Sequence, residues 1–402
     1  MRDDRPVSRA QKILLVVGIV GLAFNLRPAA VSIGPVLDEI RSTLHMSDTT
    51  AGVLTTLPVL GFAVFGAAAP WLARVVGLHR ITLLSLCAAV LGIGLRSFTS
   101  SAAVFLLLSL LTLAGLATAN VLIPSLVKLH FPTRVGRLTS IYTTALAVGL
   151  TLASVLTVPI EHGFGSWRWG LFAWAVTALV AAVPWLGLVG HDSRPAETTS
   201  TITLAAVART RVGWALALCF GLQSLQAYAV FGWMAQIYRD AGFSAATAGL
   251  LLGVVTGTSI PLSFWLPPLT ARLANPRWLL TVLIACYPCG YVGLIVAPVG
   301  GAIVWALLVG VATAVFPVTL TLIGLRARTS EGTAALSGFG QSVGYVVAAA
   351  GPFGMGALHE ATHGWTVPLL ALSAVAVPLL VSALVLSRPS YVEDQLRTAV
   401  TG

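Results

Sequence analysis

The chain has 402 residues, 57% of them hydrophobic and 9% charged, with a mean hydropathy of +0.92 and a formal net charge of +10. About a quarter of the residues in an ordinary soluble domain are charged, so this composition excludes a soluble globular enzyme and indicates a membrane protein. The positive charge does not indicate nucleic-acid binding, because the basic residues are scattered over many short loops and do not collect on one face or arm.

The basic start "MRDDRPVSRAQK" leads straight into a span-length apolar run, without a short apolar core and small-residue cleavage site, so no cleavable signal peptide is expected. That first run, 13–37, has Arg27 as its only charged member, two places past the midpoint and directly before Pro28. As a helix rising about 1.5 Å per residue it would reach roughly 37 Å, beyond the ~30 Å hydrocarbon core of a bilayer. Eleven more apolar runs follow, at 50–72, 81–99, 102–127, 138–160, 169–190, 212–237, 246–270, 278–298, 301–325, 333–357 and 365–387.

Twelve spans place both termini on one side. Loops on that side hold 18 Lys and Arg residues, against four (Arg41, Arg96, Arg168 and Arg239) on the other. The excess of basic residues in cytoplasmic loops then orients both termini toward the cytoplasm, in a multi-pass protein of the cell inner membrane. The longest connection, 191–211, "HDSRPAETTSTITLAAVARTR", is polar and Thr-rich and reads as a cytoplasmic linker. It divides an N-terminal six-helix bundle, 1–190, from a C-terminal bundle, 212–402, that ends in a short cytoplasmic tail.

The two halves match weakly. "MSDTTAGVL" from Met46 has a partner, "FSAATAGLL" from Phe243, at an offset of 197 that also carries Arg80 onto Arg277, and Pro124 falls on Pro317 at an offset of 193. The expected fold is therefore an all-α membrane protein of twelve transmembrane helices in two six-helix pseudo-repeats. This is the plan of the major facilitator fold, whose substrate site lies near mid-membrane between the halves.

Four stretches resemble the cyanate permease and nitroimidazole exporter family, CynX/NimT. They are "NLRPAAVSIGPVLDEIR", "LIPSLVKLHFPTRVGRLTSIYTTA", "GLQSLQAYAVFGWMAQIYRDAGFSAATAGLL" and "LTLIGLRARTSEGTAALSGFGQSVGYVVAAAGPFGMGALHEATHGW". The resemblance implies a transporter of cyanate-like anions or nitroheterocycles. After the second span, "LARVVGLHR" places Arg74 at the superfamily's usual aspartate and Val75 at its usual arginine, so the charge-relay gating of that loop is not carried over.

A mid-bilayer charge costs approximately 2.5 to 3.5 kcal/mol on insertion scales, so Arg27 is expected to face a protein interior or aqueous cavity. All 13 acidic residues and all seven histidines lie in tails, loops or span ends, so none supplies a partner at its depth. Two readings remain: Arg27 donates to backbone carbonyls released where Pro28 breaks the helix, or a substrate supplies the acceptor. A planar guanidinium suits a small oxyanion, a carboxylate or another electron-rich planar group. Asn25, Asn120, Gln223, Gln226, Tyr228, Gln341 and Tyr345 lie at similar depth, with Tyr142 nearer the cytoplasm. Gln223 and Gln226 stand at i, i+3 and are the favoured second-half contact. Each of these side chains could equally bind a neighbouring helix.

Other patterns point away from chemistry. "CYPC", Cys286 to Cys289, lies within the ninth run without the strand and helix of a redox fold, and zinc would need more ligands, so all four cysteines read as packing residues. The glycines of "GFGQSVG" suit close helix packing, and "GPFGMG" from Gly351 suggests a kink in the eleventh span.

With no histidine or carboxylate in the membrane interior, a membrane enzyme is disfavoured, and no metal or cofactor is expected. The reading is a monomeric secondary transporter of a small-molecule solute in the lipid bilayer. Arg27 is its central substrate charge, and coupling is to a proton or a counter-anion. The alternative is a nitroimidazole-type efflux carrier in which Arg27 is structural. Because Glu161 and Asp38 lie at the rim, no single carboxylate is expected to be an essential mid-membrane proton carrier.

Overall fold

The computed structural model describes residues 9–46, 48–191 and 202–401, and among these no strand occurs. The first predicted span is α1 (Arg9–Asn25), α2 (Pro28–Val31) and, after a 3-10 turn at Gly34–Val36, α3 (Leu37–Leu44). The next five spans are α4 (Asp48–Val76), α5 (Leu78–Phe98), α6 (Ala102–His130), α7 (Val135–Phe164) and α8 (Trp167–Leu186). A single turn, α9 (Leu204–Val207), precedes α10 (Arg211–Asp240), α11 (Ala245–Arg272) and α12 (Arg277–Val296). The tenth span is split into α13 (Ala302–Thr313) and α14 (Val315–Leu325), followed by α15 (Ser330–Thr362), α16 (Thr366–Ser387) and the terminal α17 (Val392–Thr401). Much of the predicted linker lies outside the described residues; its described end carries α9.

Among the described residues nine segments are long and apolar enough to cross a bilayer, ten when the two bent parts of α7 count as one span. With α4 and α15 these make the twelve spans of the major facilitator fold. The chain clusters into two compact units, Met1–Pro132 with Ile141–Thr201, and Thr133–Ser140 with Ile202–Gly402. The first turns of α7 thus pack in the second unit, where Ser140 Oγ donates to Phe264 O at 2.5 Å.

Two expectations are corrected. The first span is not one continuous helix: α1 stops at Asn25, three residues before Pro28, which has no N–H to give the ladder. The segment expected as a loop after Leu37 is helical because Ile33, Val36, Ile40 and Leu44 recur at helical spacing. They bury against Phe105, Trp167 and Leu171, and Trp167 Nε1 donates to Thr43 Oγ1 at 3.1 Å. His45 ends α3 in the left-handed conformation, φ 49°, its N–H returning to Arg41 O.

In the second unit α10 and α15 approach closely at small residues, which lets backbones meet inside a membrane. A Cβ on Gly344 would sit 2.6 Å from the Phe220 ring and 3.1 Å from Gly221 N, and one on Gly351 would collide with Leu225 O. "GPFGMG" therefore lies inside the continuous helix α15 as a packing seam. The following residue, Pro352, accepts a hydrogen bond from Trp233 Nε1 at 2.9 Å.

Candidate functional site

In the first unit the site is built around the break. Pro28 leaves Phe24 O without its helical donor, and that carbonyl lies against Gly149 of α7, where any Cβ would collide with it. Asn25, the last residue of α1, is 3% exposed, and both ends of its amide are engaged. Nδ2 donates to Gly21 O at 2.8 Å and Thr177 O at 3.2 Å, and Oδ1 accepts from Thr177 Oγ1 at 2.7 Å. Asn25 thus ties α1 to α8.

Arg27 is the N-cap residue of α2 and makes no side-chain cap to it, while its backbone carbonyl accepts from Ala30 and Val31. The side chain is partly exposed and its guanidinium lies over the Phe62 ring of α4, 5.9 Å from the centroid. Ser32, five residues on and fully buried, has a hydroxyl without a hydrogen-bond partner among the described residues. Asn120 on α6 and Tyr142 on α7 are buried, at 7% and 2% exposure.

Arg96 is the residue the sequence reading misplaced. Its position near the end of a hydrophobic run assigned it to an outer loop, but it lies within α5 and is 1% exposed. Nη2 donates to Ala29 O at 2.6 Å and Nη1 to Ser109 Oγ at 3.2 Å, with the Phe105 ring 5.7 Å away. A carbonyl of the broken span is therefore bound by a second arginine, a duty the sequence reading offered to Arg27. The Ser109 hydroxyl on α6 was the available signal, but nothing in the linear sequence pairs it with Arg96. Arg168, also assigned to a loop, starts α8 and donates to the Ser97 and Thr99 carbonyls, both at 2.9 Å.

In the second unit the Gln223 and Gln226 pair divides. Three residues advance a helix by about 300°, so the two side chains diverge by about 60°. Gln226 is fully buried: Nε2 donates to Leu372 O of α16 and Oε1 accepts from Tyr291 of α12, both at 2.8 Å. Gln223, 1% exposed, donates to Ser224 Oγ at 2.7 Å, and its Oε1 has no partner among the described residues. Gln341 is buried on α15 with Nε2 to Ser337 Oγ at 2.7 Å, and Tyr345 meets Phe220 edge-on with ring centroids 5.2 Å apart. Tyr228 is partly exposed on α10. Sequence reasoning missed Tyr287 and Tyr291, fully buried with stacked rings 5.8 Å apart. The four cysteines are free thiols, and among the described residues no group of three or more His, Cys, Asp or Glu is placed to hold a metal ion.

Residues 13–352 match the model of the Major Facilitator Superfamily. The chain belongs to this superfamily. Within it, the CynX/NimT resemblance holds at full length. The chain is 33% identical over 391 residues to the 2-nitroimidazole transporter of Escherichia coli (strain K12), covering 96% of this chain and 99% of that protein. Cyanate transport protein CynX of the same organism is 28% identical over 349 residues, 87% of this chain and 90% of its own. An uncharacterized transporter of Bacillus subtilis (strain 168), YycB, is 36% identical over 376 residues, 92% of each chain. Among solved structures, the fucose:proton symporter FucP of E. coli superposes with a TM-score of 0.73 at 16% identity, covering 94% of this chain and all of that one. At that identity the match speaks for the fold alone. This major facilitator protein is a transporter, and its polar groups buried within the spans are there to bind, position or pack.

Proposed function

We propose that this transporter carries a small planar solute by alternating access, with Arg27 binding its electron-rich edge. The solute is a cyanate-like anion, a carboxylate or a nitroheterocycle. The observation that carries the reading is the placement of a partly exposed arginine, Arg27, at the break of the first span. Arg96 takes the Ala29 carbonyl, while Arg27, partly exposed beside Phe62, stands at the break with the fork geometry that a planar anion matches. Gln223, whose buried amide oxygen has no partner among the described residues, suits a solute that also carries a donor, such as the ring N–H of a nitroimidazole. The transporters of 2-nitroimidazole and cyanate among its relatives support the same solute class. The contact between Arg27 and Phe62 favours the alternative, an efflux carrier in which Arg27 is structural.

Proteoliposome exchange of labelled cyanate, short carboxylates and 2-nitroimidazole separates the two. Arg27→Ala folds but loses exchange, and Arg27→Lys recovers little, since an ammonium lacks the planar fork. Normal exchange by Arg27→Ala refutes the binding role, and failure to fold assigns Arg27 to structure. The same vesicles with imposed potential and pH gradients test coupling. A negative interior opposes anion entry by about 2.3 kcal/mol per charge per 100 mV, so uptake needs a cation, an exchanged anion or the protonated acid. No single Asp or Glu variant is expected to keep exchange while losing proton-driven accumulation; one that does is the proton carrier.

The excess of basic residues on the terminal side, 18 against three once the buried Arg96 is taken from the four, supports termini in the cytoplasm. A reporter active only outside the cytoplasm should work when fused near Glu161 or Glu360 and fail near Arg134 or Arg328; the reverse pattern inverts the orientation.

A further inference from the structure

The entry into α10 forms a groove lined by none of the residues named above for solute binding. α9 ends at Val207, the chain turns through Ala208 and Arg209, and Thr210 caps α10 with Oγ1 accepting from Gly213 N at 3.0 Å. The buried cap leaves Arg209 and Arg211 exposed on either side of it, and neither side chain forms an ion pair or hydrogen bond among the described residues. Together with them, α10 and α16 border an open groove of about 710 Å³, with Trp214, Leu218, Val377, Val381 and Val385 along its walls. Its two lining hydroxyls are already engaged, Thr210 Oγ1 donating to Val207 O at 2.7 Å and Ser382 Oγ to Leu379 O at 2.8 Å. Trp214 is 47% exposed, and its indole N–H is held by Ala208 O at 2.8 Å, so the ring stands at the mouth with its polar edge already paired.

On helices that cross a bilayer, outward apolar side chains such as Val377 and Val381, 64% and 58% exposed, lie in hydrocarbon. Apart from Arg209 and Arg211 at its mouth, the cleft offers no unpaired polar side chain among the described residues, so a peptide backbone or a transported polar solute would go unsatisfied along its apolar walls. An acyl chain suits it. Two guanidiniums and a Trp at the end of a span stand at headgroup depth, where arginine binds phosphate. We propose that this groove binds one anionic phospholipid, its acyl chain along α10 and α16 and its phosphate between Arg209 and Arg211.

The test is native mass spectrometry of the delipidated full-length protein in detergent, titrated with phosphatidylglycerol or phosphatidylcholine of identical chains. Phosphatidylglycerol should be retained preferentially. Arg209→Ala and Arg211→Ala should each weaken retention about fivefold, and together about 25-fold, from the usual contribution of a basic residue near an anionic headgroup. Both residues are exposed and unpaired, so these variants keep the fold. Val381→Trp, which fills the cleft and leaves both arginines, should also lose the lipid, and glycerol phosphate without chains should not compete. Equal retention of the two lipids, undiminished phosphatidylglycerol binding by the double variant, or competition by glycerol phosphate would overturn the assignment.

Discussion

Replacing Arg96 removes a bracket that the broken first span depends on. The guanidinium is 1% exposed and makes two hydrogen bonds, at 2.6 Å to Ala29 O on α2 and at 3.2 Å to Ser109 Oγ on α6. A hydrogen bond from a charged donor contributes about 1.5–3 kcal/mol, and a buried carbonyl stripped of its donor costs about 1–3 kcal/mol. Against this stands relief of the burial of a charge with no carboxylate beside it, so the net loss is smaller than the sum. Arg96→Ala, which also leaves a cavity beside Phe105, should destabilise by about 3–5 kcal/mol. Arg96→Met keeps much of the volume and should cost about 2–3 kcal/mol, the part owed to polar contacts. The assay is reversible unfolding in mixed micelles, with hydrogen exchange read through residues 28–36. Both variants should speed exchange there ahead of the rest of the first unit. An Arg96→Met protein with unchanged stability and unchanged exchange at Ala30 to Val36 would refute the bracket.

Gln223 and Gln226 should part in the same assays. Gln226→Leu strands the Tyr291 hydroxyl and the Leu372 carbonyl and should cost about 2–4 kcal/mol of stability. Gln223→Leu removes an amide whose oxygen is unpaired, so stability should hold while solute affinity falls; normal transport by Gln223→Leu removes it from the site. At the end of the second unit, the hydrogen bond and charge of Arg328 hold the Asp394 carboxyl below the usual carboxylate range, with Nη2 to Oδ2 at 2.8 Å. A depressed folded value means the contact is fully present above the ordinary Asp pKa of about 3.9 and is lost as pH falls through the lower folded one. Hydrogen exchange of α17 should therefore be insensitive to this group from pH 8 to 5 and accelerate below about pH 4, and Asp394→Asn should abolish that acid step.

The twelve spans, the charged residue beside a proline in the first one and the small-residue seams were legible in the sequence, because each depends on local chain properties. A bilayer demands about 20 apolar residues in a row, a proline withdraws its own N–H, and a glycine permits close approach whatever its neighbour. The partners of the buried polar groups were not legible. Arg96 and Ala29 are 67 residues apart, and Gln226 and Leu372 are 146 apart, so no window along the chain distinguishes an arginine at a span end that snorkels to water from one that turns inward to a carbonyl. Depth in the membrane follows from position in a run, whereas facing and pairing follow from which helices pack together. Tertiary structure alone therefore decided that Asn25, Gln226 and Arg96 each join helices within their own bundle, and that Gln223 has a buried oxygen with no partner among the described residues.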